Sequence, residues 1–360
     1  MKYDMVLVGA GVSNATIAAL NTDKKILVLE RDEIGGMCRT ENEGDIEVHK
    51  YGPHIFHTSN HKVWNFVNKY AEFNGYVHRV KASVEDNILS FPINLETYNQ
   101  LYAGNKPFTP TDLSTLIVDS DADNFEDYLA EKIGYDLYDK FYKGYSEKMW
   151  GMPARNIPLF IAKRIPVRTS YNDLYFNDLY QGVPKEGYTV MIERMMEHCD
   201  IQAVDFLSDK DYYESLADTI IYTGSVDEYF DYELGELPYR SMEYFMSIEP
   251  YKDFQGVGQM NYPDDDVPYT RIIEHKHFNW VNRPITITTT EYPRAWKRGS
   301  HLKRFYPIPL QENMNLYEEY YRMGSKAIFA GRLGDYSYIN MDEAVKRAMI
   351  LDEQLKMGLL

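Results

Sequence analysis

The sequence predicts an α/β fold in three parts: a Rossmann-like unit with a parallel sheet, a helical insertion and an antiparallel sheet. Three observations carry this. A strand, a glycine turn, a helix and a second strand follow one another in the first thirty residues. Apolar residues recur at helical spacing through 123–150. Runs rich in Thr, Val, Ile and Tyr, with the period-two character of strands, fill 76–92 and much of 239–291.

The opening unit is the most informative. Tyr3–Val8 reads as a short β-rich run, GAGVSN follows, then a helical pattern, then Lys25–Leu29 as a second apolar strand ending in Glu30. That order is the βαβ unit that holds dinucleotides. Gly9 permits the tight turn, and Gly11 lets the backbone approach a pyrophosphate at the helix N-terminus, where Val12 and Ser13 present unpaired N–H groups. Glu30 stands 19 residues after Gly11, where a ribose-binding carboxylate belongs, with Arg31 beside it. Asn14 occupies the third glycine position of the fingerprint, so it is expected to push the helix slightly away from the strand.

A second glycine pair, Gly35-Gly36, lies just past the acidic strand end and favours FAD over NAD, with Gly36 and Met37 beside the cofactor. Near the C-terminus Ala327–Ala330, Gly331-Arg332 and a following helix give a closing strand–turn–helix, which would bring Arg332 and Met341 back to the same cofactor. The expected division is therefore discontinuous. The FAD-binding part takes 1–75, 186–230 and 322–360, the helical part 95–155, and the sheet part 76–94, 156–185 and 231–321.

In the insertion, Phe125, Leu129, Ile133, Leu137 and Phe141 recur every four residues and mark one buried stripe, after which Pro153, Pro158 and Pro166 end the pattern. In the sheet part, residues 285–292 (ITITTTEY) form the clearest strand.

Composition narrows the function. A net charge of −17 makes nucleic acid and anionic membrane poor partners. No apolar run approaches the roughly 20 residues that span a bilayer. The N-terminal residues lack a signal-peptide pattern, and two cysteines far apart suit a reducing compartment, so a cytoplasmic location is expected. The 32 tyrosines offer flat faces and hydroxyls suited to rings and sugars, although core packing explains many of them equally well.

Residues 49–58, HKYGPHIFHT, place His49, His54 and His57 within nine positions. A metal site would need a further ligand and a regular element to present the three, and Tyr51-Gly52-Pro53 argues against a helix there. No metal is expected.

The stretches HKYGPHIFHT, KGYSEKMW, AKRIPVR, YFNDLYQGVPKEGYT, YTGSVDEYFDY, VPYTRIIEHKHF and GRLGDYSYINM resemble the UDP-galactopyranose mutase family in order and spacing, from about residue 3 to 350. The resemblance implies an FAD enzyme that interconverts UDP-galactopyranose and UDP-galactofuranose, with the N5 of the reduced flavin as nucleophile at the anomeric carbon. It implies that NAD(P)H or another reductant serves only to reduce the flavin, that the UDP-sugar is the partner, and that the chain is a homodimer. It places the HIFH stretch beside the isoalloxazine, which makes His54, Ile55 and His57 flavin-pocket residues, with His57 facing the reacting ring atoms. Arg164 and Arg271 become the two guanidinium groups that clamp the diphosphate. Tyr175 and Tyr306 donate to the phosphates with Tyr338 as a third tyrosine beside them, and Tyr145 stacks on uracil with Phe141 and Tyr142 walling that pocket. Trp150 and Asn261 lie at the substrate, and residues 165–180 are expected to contain or adjoin a loop that closes over it.

Three departures bear on the sugar. Asn340 stands where the resemblance implies an aspartate, Met149 where it implies a glutamine, and Phe305 where it implies a tyrosine. Lys303 and Arg304 are expected to add positive charge at the nucleotide entrance. UDP-N-acetylgalactosamine or another UDP-hexose is therefore the alternative substrate. An amine-oxidase-like flavin oxidoreductase is the alternative enzyme, and an inactive UDP-sugar-binding protein is the reading outside catalysis.

Overall fold

The computed structural model describes residues 3–359. Two sheets organise the chain. The first is parallel throughout and has five strands in the spatial order 328–329, 219–222, 5–8, 26–30 and 200–203. Met5–Val8 is buried along its whole length, as expected for a central strand covered on both faces. The helices Val12–Ala19, Gly187–Met195 and Met341–Lys356 pack on one face. The segment 206–229 covers the other with Phe206, Tyr213 and Tyr229.

Asn14 does not displace its helix. Its side chain is fully buried, and Nδ2 donates to the carbonyls of Val8 and Gly9, each at 2.9 Å. Two hydrogen bonds tie the helix to the strand end where a glycine would merely have allowed close approach.

The second sheet has seven strands in the order 306–307, 239–249, 286–295, 271–274, 259–261, 80–84 and 87–91. Every neighbouring pair but one is antiparallel. Gln259–Asn261 runs parallel to Val80–Val84 because the chain leaves the sheet for the helical insertion and returns from the other side. The strand Thr286–Ala295 lies where the Thr-rich run predicted it.

The stripe expected over 123–150 is buried at all five positions, but it is not one helix. Gly134 adopts φ +86°, which ends Phe125–Ile133, and the chain continues through Tyr135–Tyr138, a π-turn at Asp139–Lys143 and Gly144–Trp150. Among the described residues no helix is long and apolar enough to cross a membrane.

Candidate active site

A cleft opens at the C-terminal ends of the parallel strands, the usual place for a ligand in such sheets. Gly9, Gly11, Val12, Ser13, Glu30, Arg31, Gly36, Met37, Arg332, Asn340 and Met341 line it. Two of its glycines, Gly9 and Gly36, leave little room for a side chain. A Cβ on Gly36, where φ is +55°, would sit 3.0 Å from the Gly11 Cα, and one on Gly9, at φ +95°, would strike Thr223 Oγ1 at 2.3 Å. Glu30 is fixed at the strand end, since its carboxylate accepts the N–H groups of Ala10 at 2.7 Å and Asp32 at 2.9 Å. A glycine-walled cradle, a helix start and an anchored acid fit a dinucleotide cofactor.

His54 and Ile55 are not on this wall. Ile55 is part of the core. His54 Nδ1 donates to the Gly52 carbonyl at 2.8 Å, and burial, with further repulsion from Arg332 and Arg271, holds the imidazole down to about 4, so it is neutral near pH 7. His49 is equally committed: its Nδ1 accepts the His54 N–H at 3.0 Å, and burial pushes its pKa well below the usual value. His275 spans the His49 N–H and Thr289 Oγ1. These ring nitrogens serve backbone and hydroxyl partners and do not converge as ligands. Among the described residues one triad, Asp253, Glu274 and His277, has metal-like proximity. Its carboxylates already accept the amides of Phe254, Gln255 and Gly256, so it is a charge-paired loop anchor.

Beside the cleft the second sheet contributes a row of groups at one register. Asn261 stands opposite Arg271, Arg271 opposite Glu291, and Glu291 opposite Tyr244. The Arg271 Nε donates to Glu291, whose side chain is fully buried. Burial opposes charge on both partners. The pair keeps the guanidinium charged, while the carboxyl remains above the usual range despite Arg271. Asn261 accepts from Gln259 Nε2 at 2.8 Å, which commits its oxygen and leaves its amide group as a donor.

Arg164 reaches the same place from the irregular segment after Leu159–Ala162. It lies 4.3 Å from the Tyr338 ring centroid and donates to Asn340 Oδ1. Asn340 is the N-cap of the helix Met341–Lys356, yet its side chain makes no capping bond. Tyr338 in turn meets Trp150 at 5.5 Å and Tyr306 at 5.6 Å, and Arg332 stands over Tyr306 at 5.3 Å. Tyr145 and Tyr175 complete the cluster, close enough to Arg271 to feel its charge, although burial dominates and raises both hydroxyls. Arg164, Arg271, Tyr145, Trp150, Tyr175, Asn261, Tyr306, Tyr338 and Asn340 thus converge.

Phe141 and Tyr142 do not form an open wall. At 3% and 1% exposure they belong to the helical core, reaching the cluster through Phe91, which stacks on Phe141 and meets Tyr142 and Tyr175 at a tilt. Lys303 and Arg304 also differ from expectation. Both face the dinucleotide cleft, and both are already paired: Lys303 with Asp32 at 2.6 Å, Arg304 with Glu228 at 2.6 Å and 3.8 Å over Trp296.

Sequence reasoning missed four contributors. Glu291 is the acid of an otherwise uncharged strand run, a signal visible in ITITTTEY. Lys148, on the helix with Tyr145 and Trp150, donates to the carbonyls of Tyr262, Asp264, Val267 and Tyr269 and pins the loop that leads to Arg271. Arg240 binds the carbonyls of Lys148 and Met149 at the end of that helix. Asp178 pairs with His57 at 2.6 Å. The last three carry no sequence signal because their partners are distant along the chain.

A family model described as UDP-galactopyranose mutase matches residues 140–338, and one described as an NAD(P)-binding Rossmann-like domain matches residues 7–70. The dTDP-fucopyranose mutase of Escherichia coli is 36% identical, with 96% of each chain covered. A probable UDP-galactopyranose mutase of Klebsiella pneumoniae is 39% identical over 96% of this chain and 93% of that one. Among solved structures, reduced UDP-galactopyranose mutase superposes with a TM-score of 0.76 at 14% identity, covering 100% of this chain and 95% of that one. A redesigned putrescine oxidase gives 0.60 at 11% identity over 99% of both chains. At those identities the two structures speak for fold alone, and the mutase fold is the nearer of the pair. The family match across more than half of the chain, together with near-full-length relatives above 30% identity, establishes that this chain belongs to the UDP-galactopyranose mutase family.

Proposed function

We propose that this chain is an FAD-dependent isomerase that interconverts UDP-galactopyranose and UDP-galactofuranose. The supporting observation is the convergence of Arg164 and Arg271 with Tyr175, Tyr306 and Tyr338 beside a dinucleotide cleft. In a chain of net charge −17, a diphosphate needs such a local concentration of guanidinium groups. FAD, held by the Gly9–Ser13 turn, Glu30, Gly36, Met37 and the start of the Met341 helix, supplies a nucleophilic N5 at the anomeric carbon once reduced. NAD(P)H or another reductant enters only to reduce it.

The residues have separable tasks. Arg271 uses Nε on Glu291 and keeps its Nη groups for the diphosphate. Arg164, exposed and resting on Tyr338, swings onto the same group and holds the departing UDP close enough to return. Tyr145 stacks on the base. Trp150 and Asn261 bound the sugar, and Asn261 donates through its amide. The segment 165–180 closes over the sugar and excludes water.

A second reading concerns the substrate. One relative at 36% identity is named for dTDP-fucopyranose, and Asn340 replaces the acid implied at the sugar, so a dTDP-6-deoxyhexose is the competing substrate. The deciding experiment incubates dithionite-reduced protein with UDP-galactopyranose, UDP-N-acetylgalactosamine and dTDP-fucopyranose and reads furanose products by chromatography. Furanose from the UDP-galactose arm supports the proposal. Turnover confined to another arm moves the activity to that sugar nucleotide. A separate arm mixes oxidised protein with an amine, and stoichiometric flavin reduction there identifies an oxidase instead.

A further inference from the structure

The nucleotide clamp leaves one chemical need unmet. Opening a pyranose turns its ring oxygen into a hydroxyl, which takes up a proton, and closing the furanose removes a proton from the hydroxyl that attacks. The proton count balances, but a group must carry the proton from one oxygen to the other.

His57 lies on the short strand Phe56–Thr58, paired with Tyr180–Gly182. Its Nδ1 is 2.6 Å from Asp178 Oδ2, and the other Asp178 oxygen accepts Ser59 Oγ at 2.8 Å. Phe176 lies parallel to the imidazole, with centroids 3.6 Å apart and planes within 10°. The stack fixes the plane of the ring, and the carboxylate fixes its rotation within that plane. The hydrogen bond from His57 is the largest influence on Asp178 and holds its carboxyl below the usual range, so it stays an acceptor and the hydrogen between them belongs to Nδ1. The Nε2 atom has no protein partner among the described residues. Phe176 also meets Tyr175 edge-on at 5.0 Å, which joins His57 to the arginine–tyrosine cluster through one ring. The other titratable groups facing His57 are Asp342, in the first turn of the Met341 helix, and the buried His78, neutral because burial pushes it down to about 3.

We propose that Asp178 is a positioning residue for the sugar chemistry, holding His57 in its Nδ1–H form so that Nε2 exchanges the proton with the sugar. The imidazolium, paired with Asp178, gives its Nε2 proton to the ring oxygen as the old C–O bond breaks. The neutral Nε2 left behind then takes the proton from the attacking hydroxyl as the new ring C–O bond forms, which restores the imidazolium. This rests on the mutase reading above and adds a residue and a role to it.

The test uses the FAD-loaded protein and the variants Asp178→Asn and Asp178→Glu. In ¹⁵N-histidine-labelled oxidised protein, Asp178→Asn is expected to lose the predominance of the Nδ1–H tautomer of His57, whereas Asp178→Glu retains it. In the reduced enzyme kcat is expected to fall on the order of ten- to a hundredfold in Asp178→Asn, with KM nearly unchanged. Asp178→Glu should recover part of the rate. An unaltered His57 tautomer in Asp178→Asn, or a loss that falls on UDP affinity and not on kcat, overturns the proposal. If the wild-type protein binds UDP but converts no nucleotide hexose, the mutase reading fails, and the tautomer measurement still decides whether Asp178 orients His57.

Discussion

Arg271 and Glu291 stand directly opposite each other on neighbouring antiparallel strands, and the guanidinium donates to a carboxylate with no exposure to solvent. The second Glu291 oxygen has no partner among the described residues. A charge in that position is tolerated only while its partner is present.

Arg271→Ala is therefore expected to do two things. It removes a diphosphate ligand, lowering kcat/KM by about two decades or more. It also strands Glu291, costing on the order of 3–5 kcal/mol of stability. Arg164→Ala removes a comparable ligand from an exposed site and should lower kcat/KM similarly with an unchanged melting temperature. Steady-state kinetics beside calorimetry separates the two variants. Equal stability in both would contradict the assignment of Glu291 as a buried, singly paired acid.

Gly36→Val should give protein that folds but is colourless. The residue has φ +55°, and its Cβ would lie 3.0 Å from the Gly11 Cα, closing the cradle on the cofactor side. Absorbance near 450 nm after incubation with FAD is the measurement, and a yellow variant would remove this turn from the cofactor site.

Lys148→Met should weaken both stability and nucleotide binding. Its ammonium satisfies four carbonyls of the 262–269 loop at 2.8 to 3.1 Å, even though burial pulls its pKa down to about 8. A methionine removes that donor, while the Asp264 carbonyl keeps the Val267 N–H at 3.2 Å; the loss costs about 2–4 kcal/mol and loosens the loop preceding Arg271. Urea unfolding and UDP titration report the two effects.

Stability should fall in acid through Glu274. Burial alone would raise this carboxyl, but His277 and the amides of Phe254 and Gln255 outweigh it and hold the group at about 2. A folded pKa below the unfolded one contributes stability above pH 4.5 that is lost as pH drops toward 2, a difference of about 3 kcal/mol. In Glu274→Gln that limb should flatten. His277 has a raised pKa, so its own contribution is present below about pH 6.5 and fades as pH rises through the folded value. Urea midpoints across pH 2–8, measured in both proteins, check the signs.

The glycine turn with Glu30, the buried stripe from Phe125 to Phe141 and the Thr-rich strand were legible in the sequence, because backbone sterics and apolar periodicity act over a few residues. Two local readings still failed for a local reason. Asn14 hydrogen-bonds to its own strand end, and Gly134 breaks a stripe whose periodicity continues across it.

By itself, the order of residues determined that a parallel nucleotide-type sheet opens the chain and that arginines and tyrosines recur in the motifs of one family. Only the tertiary structure decided which of them meet. Strand register sets Arg271 against Glu291, and packing brings Arg164 to Asn340 and Asp178 to His57, across 176 and 121 residues. Such contacts depend on how separate elements dock, and docking is governed by the summed burial of many side chains, which no short stretch of sequence contains.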